Sequence, residues 1–251
     1  MLGISSTLLA ASVLTDSAIE HYRGSFANPA MFVPPVVSSL LILSNANGSA
    51  DTRKAAQLLA GTVGTAGLTF HLYNIGKRPG GYGWLNFFYA APFGAPAALS
   101  LAAVLAFAAG GIETSQDMLG LPIARALGGI VSIGLAGTVV EVALLHFRGA
   151  FQDPFMWLPV SLPPVASLLM AKAALVPGSA EWLTRGWLWT TALLGIGGVG
   201  FHAYGVSRNM GGWGNWSQNL LNGPPLPAPP AFSALALAGI ASLDLMEARR
   251  R

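Results

Sequence analysis

Apolar residues run through this chain in long windows, separated by short stretches rich in glycine, proline and charge. Four windows fall in the first half: Leu2 to Ala18, Met31 to Leu43, Ala55 to Tyr73 and Ala91 to Gly110. Four more follow at Ile123 to Leu145, Met156 to Ala174, Gly186 to Tyr204 and Pro230 to Leu243. A helix rises 1.5 Å per residue, so about 17–25 apolar residues cross the hydrocarbon core of a bilayer. The windows therefore predict an all-α integral membrane protein of about eight transmembrane helices.

The chain also resembles itself. HYRGSFANPAMFVPP, from His21, lies over HFRGAFQDPFMWLPV, from His146, at an offset of 125 residues. FHLYNIGKRPGGYG, from Phe70, lies over FHAYGVSRNMGGWG, from Phe201, at an offset of 131. Two blocks in the same order at nearly the same offset predict a duplicated unit, residues 1–113 and 114–251, each with four helices. An even number of spans per unit brings both copies in from the same side, as parallel halves. Leu2 to Leu14 has the length of a signal-peptide core. No basic residue precedes it, no cleavage site follows, and it has a counterpart near Ile123 to Val140, so it is expected to be a first helix.

Composition agrees with this pattern. Of 251 residues, 53% are hydrophobic and only 9% charged, whereas a soluble domain carries charge on roughly a quarter of its residues. The expected surroundings are membrane lipid. The 31 glycines and 17 prolines punctuate apolar runs, as in tightly packed membrane helices. The absence of cysteine excludes disulfides, covalent c-type haem and thiolate-bound clusters. The 13 basic residues form no stripe, which sets nucleic acid aside as a partner. Arg53, Lys54, Arg125, Lys172, Arg185, Arg249, Arg250 and Arg251 fall on the side shared by both termini; Arg23, Lys77, Arg78, Arg148 and Arg208 fall on the other. That excess predicts cytoplasmic termini in a bacterial inner membrane.

All four histidines belong to the repeated blocks: His21 and His71 in one unit, His146 and His202 in the other. By helix rise, His21 and His146 lie roughly 30 Å along their helices and His71 and His202 roughly 24 Å. All four then approach the non-cytoplasmic end, and each unit can bring two imidazoles to one depth. Two imidazoles at one level suit a haem iron held from both faces, or half the shell of another metal. Gly64 and Gly67, like Gly195 and Gly198, precede the third-helix histidines on the same face. Gly67 and Gly198 leave either room for a flat macrocycle or a seam for helix packing.

Arg23, Arg148, Lys77 and Arg208 follow the histidines closely and are candidates for haem propionates, with snorkelling as the alternative. Asp16 and Glu141 lie five residues before His21 and His146, about 7.5 Å deeper and on a different face. They are candidates for proton handling or for buried anchoring. Met31 and Met156 are candidate soft ligands or packing residues, and Asn28-Pro29 and Asp153-Pro154 read as helix starts.

The ligand logic of His21, His71, His146 and His202 resembles that of b-type membrane cytochromes, whose helical bundles hold haem between histidines. The resemblance covers four residues and a bundle, and no continuous stretch of chain. It implies haem b, one per repeat, with quinone as a second candidate ligand. The expected function is an electron-transfer subunit of a redox complex, linking an extracytoplasmic partner to quinone. Two rivals stand beside it: a carrier or handling protein for copper or a similar ion, and a structural subunit of a larger membrane complex. The sequence names no reaction, so enzyme activity is left open.

Overall fold

The computed structural model describes residues 1–111, 117–118, 120–176, 178 and 181–250. The chain is all-α, about 82% helical. The strands among the described residues are one antiparallel pair, Asp117–Met118 with Leu121–Pro122. The expected boundary between residues 113 and 114 lies outside the described residues.

The long helices are α1 (Leu2–Arg23), α2 (Val33–Asn47), α3 (Ala50–Gly76), α5 (Gly94–Gly111), α6 (Ile123–Arg148), α7 (Leu158–Leu175), α8 (Glu181–Arg208) and α10 (Pro230–Ala248). Two short ones, α4 (Trp84–Phe88) and α9 (Trp216–Asn222), lie in the connections before α5 and α10. Around the first ring, α1 packs on α2, α2 on α3, α3 on α5, and α5 back on α1. The second ring runs α6, α7, α8 and α10 in the same way. Within each ring the first and third helices therefore stand diagonally opposite. Packed helices lie 8–10 Å apart, which sets a diagonal of roughly 11–14 Å. The rings join where α1 lies along α10; α5 and α6 meet only briefly.

Local chemistry explains the helix starts. Asn28 Oδ1 accepts from Ala30 N at 2.9 Å, and Asp153 Oδ1 accepts from Phe155 N at 2.9 Å. Each opens a single 3₁₀ turn with proline at its first position, Pro29–Phe32 and Pro154–Trp157, which feeds α2 or α7. Ser49 caps α3 by accepting from Thr52 N at 3.2 Å.

Five helical segments are long and apolar enough to cross a membrane: Leu2–Arg23, Pro29–Asn47, Ile123–Arg148, Pro154–Leu175 and Pro230–Ala248. α3 and α8 have ample length, 27 and 28 residues, but glycine, threonine and their own histidines dilute their hydropathy. α5 is the shorter apolar helix. The outer faces are covered with apolar side chains: Ile133 is 74% exposed, Leu168 72% and Trp182 79%. In water such a surface would be a severe liability, so the chain is a membrane protein in contact with lipid. Leucine and alanine fill the seams between helices. Leu9, Ala10, Leu41, Ala60 and Ala102 are buried in the first ring, and Leu127, Ala166, Leu188 and Ala234 in the second.

Candidate functional site

The four histidines share one arrangement. His21 Nδ1 lies 2.5 Å from the Met31 carbonyl and His146 Nδ1 lies 2.8 Å from the Met156 carbonyl. His71 Nδ1 lies 2.8 Å from the Pro92 carbonyl and His202 Nδ1 lies 2.7 Å from that of Pro225. A carbonyl oxygen can only accept, so each Nδ1 carries the proton and donates it. Each Nε2 is thereby left with its lone pair. This is the usual way a protein prepares a histidine for a metal: the outer nitrogen bonds to backbone and fixes the tautomer, and the other is free to ligate.

His21 on α1 and His71 on α3 are within electrostatic reach of one another, as are His146 on α6 and His202 on α8. All four are partly buried, near the C-terminal ends of their helices.

The α1 and α6 histidines are held at a backbone cost. Ser25 and Phe26 have φ of 55° and 45°, and Ala150 and Phe151 have 56° and 46°. The left-handed region costs a non-glycine residue about 1–3 kcal/mol. In return Phe26 N donates to the His21 carbonyl at 2.9 Å, and Phe151 N to that of His146 at 3.1 Å. Each phenylalanine ring meets its histidine edge-on, at 6.2 Å and 6.0 Å between centroids. Its other side stacks on an aromatic ring, Phe32 at 4.2 Å and Trp157 at 4.1 Å.

Met31 and Met156 serve through their carbonyls; their thioether methyls pack on Gly24 and Gly149. They act as packing residues here, as the alternative reading of the sequence has it.

The glycine faces also differ from one expectation. A Cβ on Gly67 would stand 3.2 Å from Pro96 Cβ, and one on Gly198 2.8 Å from Pro229 Cβ. A Cβ on Gly64 would stand 2.6 Å from Ser100 N, and one on Gly195 2.8 Å from Ser233 N. The room expected there for a macrocycle is thus taken by the first turns of α5 and α10. Gly67 and Gly198 pack against the neighbouring helix, the second of the two readings the sequence allows.

The cations are divided. Arg23 pairs with Glu20 at 2.7 Å. Arg148 reaches into the other ring, donating to the Phe87 carbonyl at 3.3 Å and lying over the Phe88 ring at 5.5 Å. Lys77 lies over Tyr73 at 5.2 Å and Arg208 over Tyr204 at 5.7 Å. By helix geometry Tyr73 is about 160° around α3 from His71, so Lys77 is drawn away from the imidazole pair. The same holds for Arg208 and His202.

The two acids, equivalent in sequence, have different partners. The Glu141 carboxylate lies on the Gly94 N–H at the start of α5, where the N-terminal dipole favours negative charge. The position corresponding to Gly94 is Pro227, which has no N–H to offer Asp16. Asp16 lies instead within electrostatic reach of Glu20 and of Glu141, across the junction of the two rings.

Sequence reading missed the carbonyls of Pro92 and Pro225, although a signal was present. Pro92 to Pro96 reads PFGAP and Pro225 to Pro229 reads PLPAP, a third repeated block at an offset of 133. Among the described residues, no three or more of histidine, cysteine, aspartate and glutamate gather as a metal-holding group. Each ring thus contributes two histidines.

Fold and site together define a helical membrane protein with paired imidazoles. No family model, curated protein or solved structure matches this chain.

Proposed function

We propose that this chain is a haem b-binding electron-transfer subunit, with about eight spans arranged as two parallel four-helix repeats. It sits in a bacterial inner membrane with both termini cytoplasmic, and links an extracytoplasmic redox partner to quinone. One haem lies between His21 and His71 and a second between His146 and His202. A single observation carries the reading: every histidine in the chain donates from Nδ1 to a backbone carbonyl, which leaves the lone pair of a neutral ring on Nε2.

When bound, haem supplies a one-electron couple that needs no reacting side chain. The chain's own residues then act by position. The four carbonyls orient the rings and raise their basicity, and Phe26 and Phe151 limit ring rotation. Arg148 leaves its own ring for the Phe87 carbonyl and the Phe88 ring, so a role with propionates would fall to it only in the first ring.

Purified protein should show a Soret band that shifts on reduction with dithionite. His71→Ala and His202→Ala should each remove part of it. A colourless protein holding stoichiometric copper or another metal ion would support the carrier reading, which draws on the closeness of Asp16 and Glu141 across the rings. Protein with neither pigment nor metal would leave the structural-subunit reading.

A further inference from the structure

A second site lies on the outside of the first ring. An open, strongly apolar groove of about 1080 Å³ runs along α3 between α5 and α6. Its floor on α3 is Gly61, Thr62 and Thr65, Phe107 and Ile130 form its walls, and Tyr73 closes it toward the C-terminal end of α3. From Gly61 to Tyr73 the helix rises roughly 18 Å, more than half the thickness of the hydrocarbon core.

The second ring does not repeat this surface. The positions of α8 corresponding to Thr62 and Thr65 hold Leu193 and Ile196, and that of Leu58 holds Trp189. The helix pairing differs as well, because α1 lies along α10 where α5 and α6 spread apart. Small side chains and splayed helices occur together on one side only, which marks the groove as a feature of the first ring and not a by-product of duplication.

Charge identifies the occupant. Lys77 Nζ sits 5.2 Å above the Tyr73 ring that ends the groove, and Arg78 follows it, exposed. Neither forms an ion pair among the described residues, whereas Arg23, Arg185 and Arg250 are each paired with an acid. In the second ring the two positions hold Arg208 and Asn209, so the double charge is also confined to the first. An apolar channel ending under Lys77, with a second exposed cation next to it in sequence, matches an acyl chain below a phosphate. A quinone suits it less well, since His71 lies about 160° around α3 from Tyr73 and cannot reach a head group there.

We infer that the groove between α3, α5 and α6 binds an anionic phospholipid, with an acyl chain against Gly61, Thr62 and Thr65 and its phosphate at Lys77 and Arg78. The site is independent of whether haem is bound. The test is to reconstitute the full chain in bilayer discs of equal parts phosphatidylglycerol and phosphatidylcholine, re-extract it in mild detergent, and identify the retained lipid by mass spectrometry. The native chain should retain phosphatidylglycerol in clear preference. Lys77→Gln with Arg78→Gln should weaken retention about thirtyfold, the expected effect of two basic residues at a membrane surface. Thr62→Leu with Thr65→Ile installs the side chains that α8 already carries, so it is compatible with folding, and it should displace lipid of either kind. Equal retention of both lipids, recovery of an isoprenoid quinone in their place, or retention unchanged in both double variants would overturn the proposal.

Discussion

The first ring and the second keep the same imidazole contacts and differ in their acids, their cations and their outer faces. Nδ1 of each histidine meets the same type of carbonyl at 2.5–2.8 Å in both. The left-handed pair after the first histidine recurs with φ values within a degree or so, at Ser25 and Phe26 and at Ala150 and Phe151. By contrast, Arg23 turns to Glu20 while Arg148 crosses to the other ring. Glu141 anchors a helix start while Asp16 has no N–H at the corresponding place. The two rings differ at the rim and outer face, and share the Nδ1 partners of their histidines together with the left-handed backbone that follows the first of each pair. Packing alone does not require that pattern, because a buried hydrocarbon side chain would fill the same space without asking for a carbonyl partner.

Several substitutions separate what the rings share from what they do not. Gly64→Ala and Gly195→Ala should be the most disruptive and nearly equal, since each new methyl meets backbone atoms of the neighbouring helix at 2.6–2.8 Å. Overpacking of this kind costs about 1–3 kcal/mol, read as a fall in thermal midpoint in detergent. Next, Glu141→Ala should destabilise more than Asp16→Ala, because only Glu141 holds a backbone N–H. A hydrogen bond contributes about 0.5–1.5 kcal/mol net, and equal losses would show that the Gly94 contact does not matter. A smaller effect is expected from Arg23→Gln, whose partly exposed pair with Glu20 contributes at most about 1 kcal/mol. Smallest, and of opposite sign, Ser25→Gly and Ala150→Gly should each raise the midpoint slightly, by relieving up to about 1 kcal/mol of left-handed strain.

Much of the fold was legible in the sequence because its signals are local. The Asn28-Pro29 and Asp153-Pro154 caps lie where side-chain chemistry predicts. The eight apolar windows correspond to the eight long helices, although hydropathy alone supports spanning for only five. α3 and α8 fall short because the histidines and glycines that give them chemistry and packing also lower their hydropathy. The site was legible as a set of four histidines and not as an arrangement. The partner of His71 is a backbone carbonyl 21 residues away, and backbone atoms leave no trace in residue type. Gly67 and Gly198 were ambiguous for a related reason. An absent side chain can make room for a ligand or for a helix, and only the position of Pro96 and Pro229 decides between them. The unlike roles of Asp16 and Glu141 depend on a proline standing where a glycine stands in the other ring, which shows only once both loops are in place.

Counting haem per chain tests the central claim most directly. By pyridine haemochrome assay on purified protein, the native chain should carry two haems, His71→Ala and His202→Ala one each, and the double variant none. A native chain without haem, or single variants that keep the full complement, would contradict the account of four carbonyl-steered imidazoles as iron ligands.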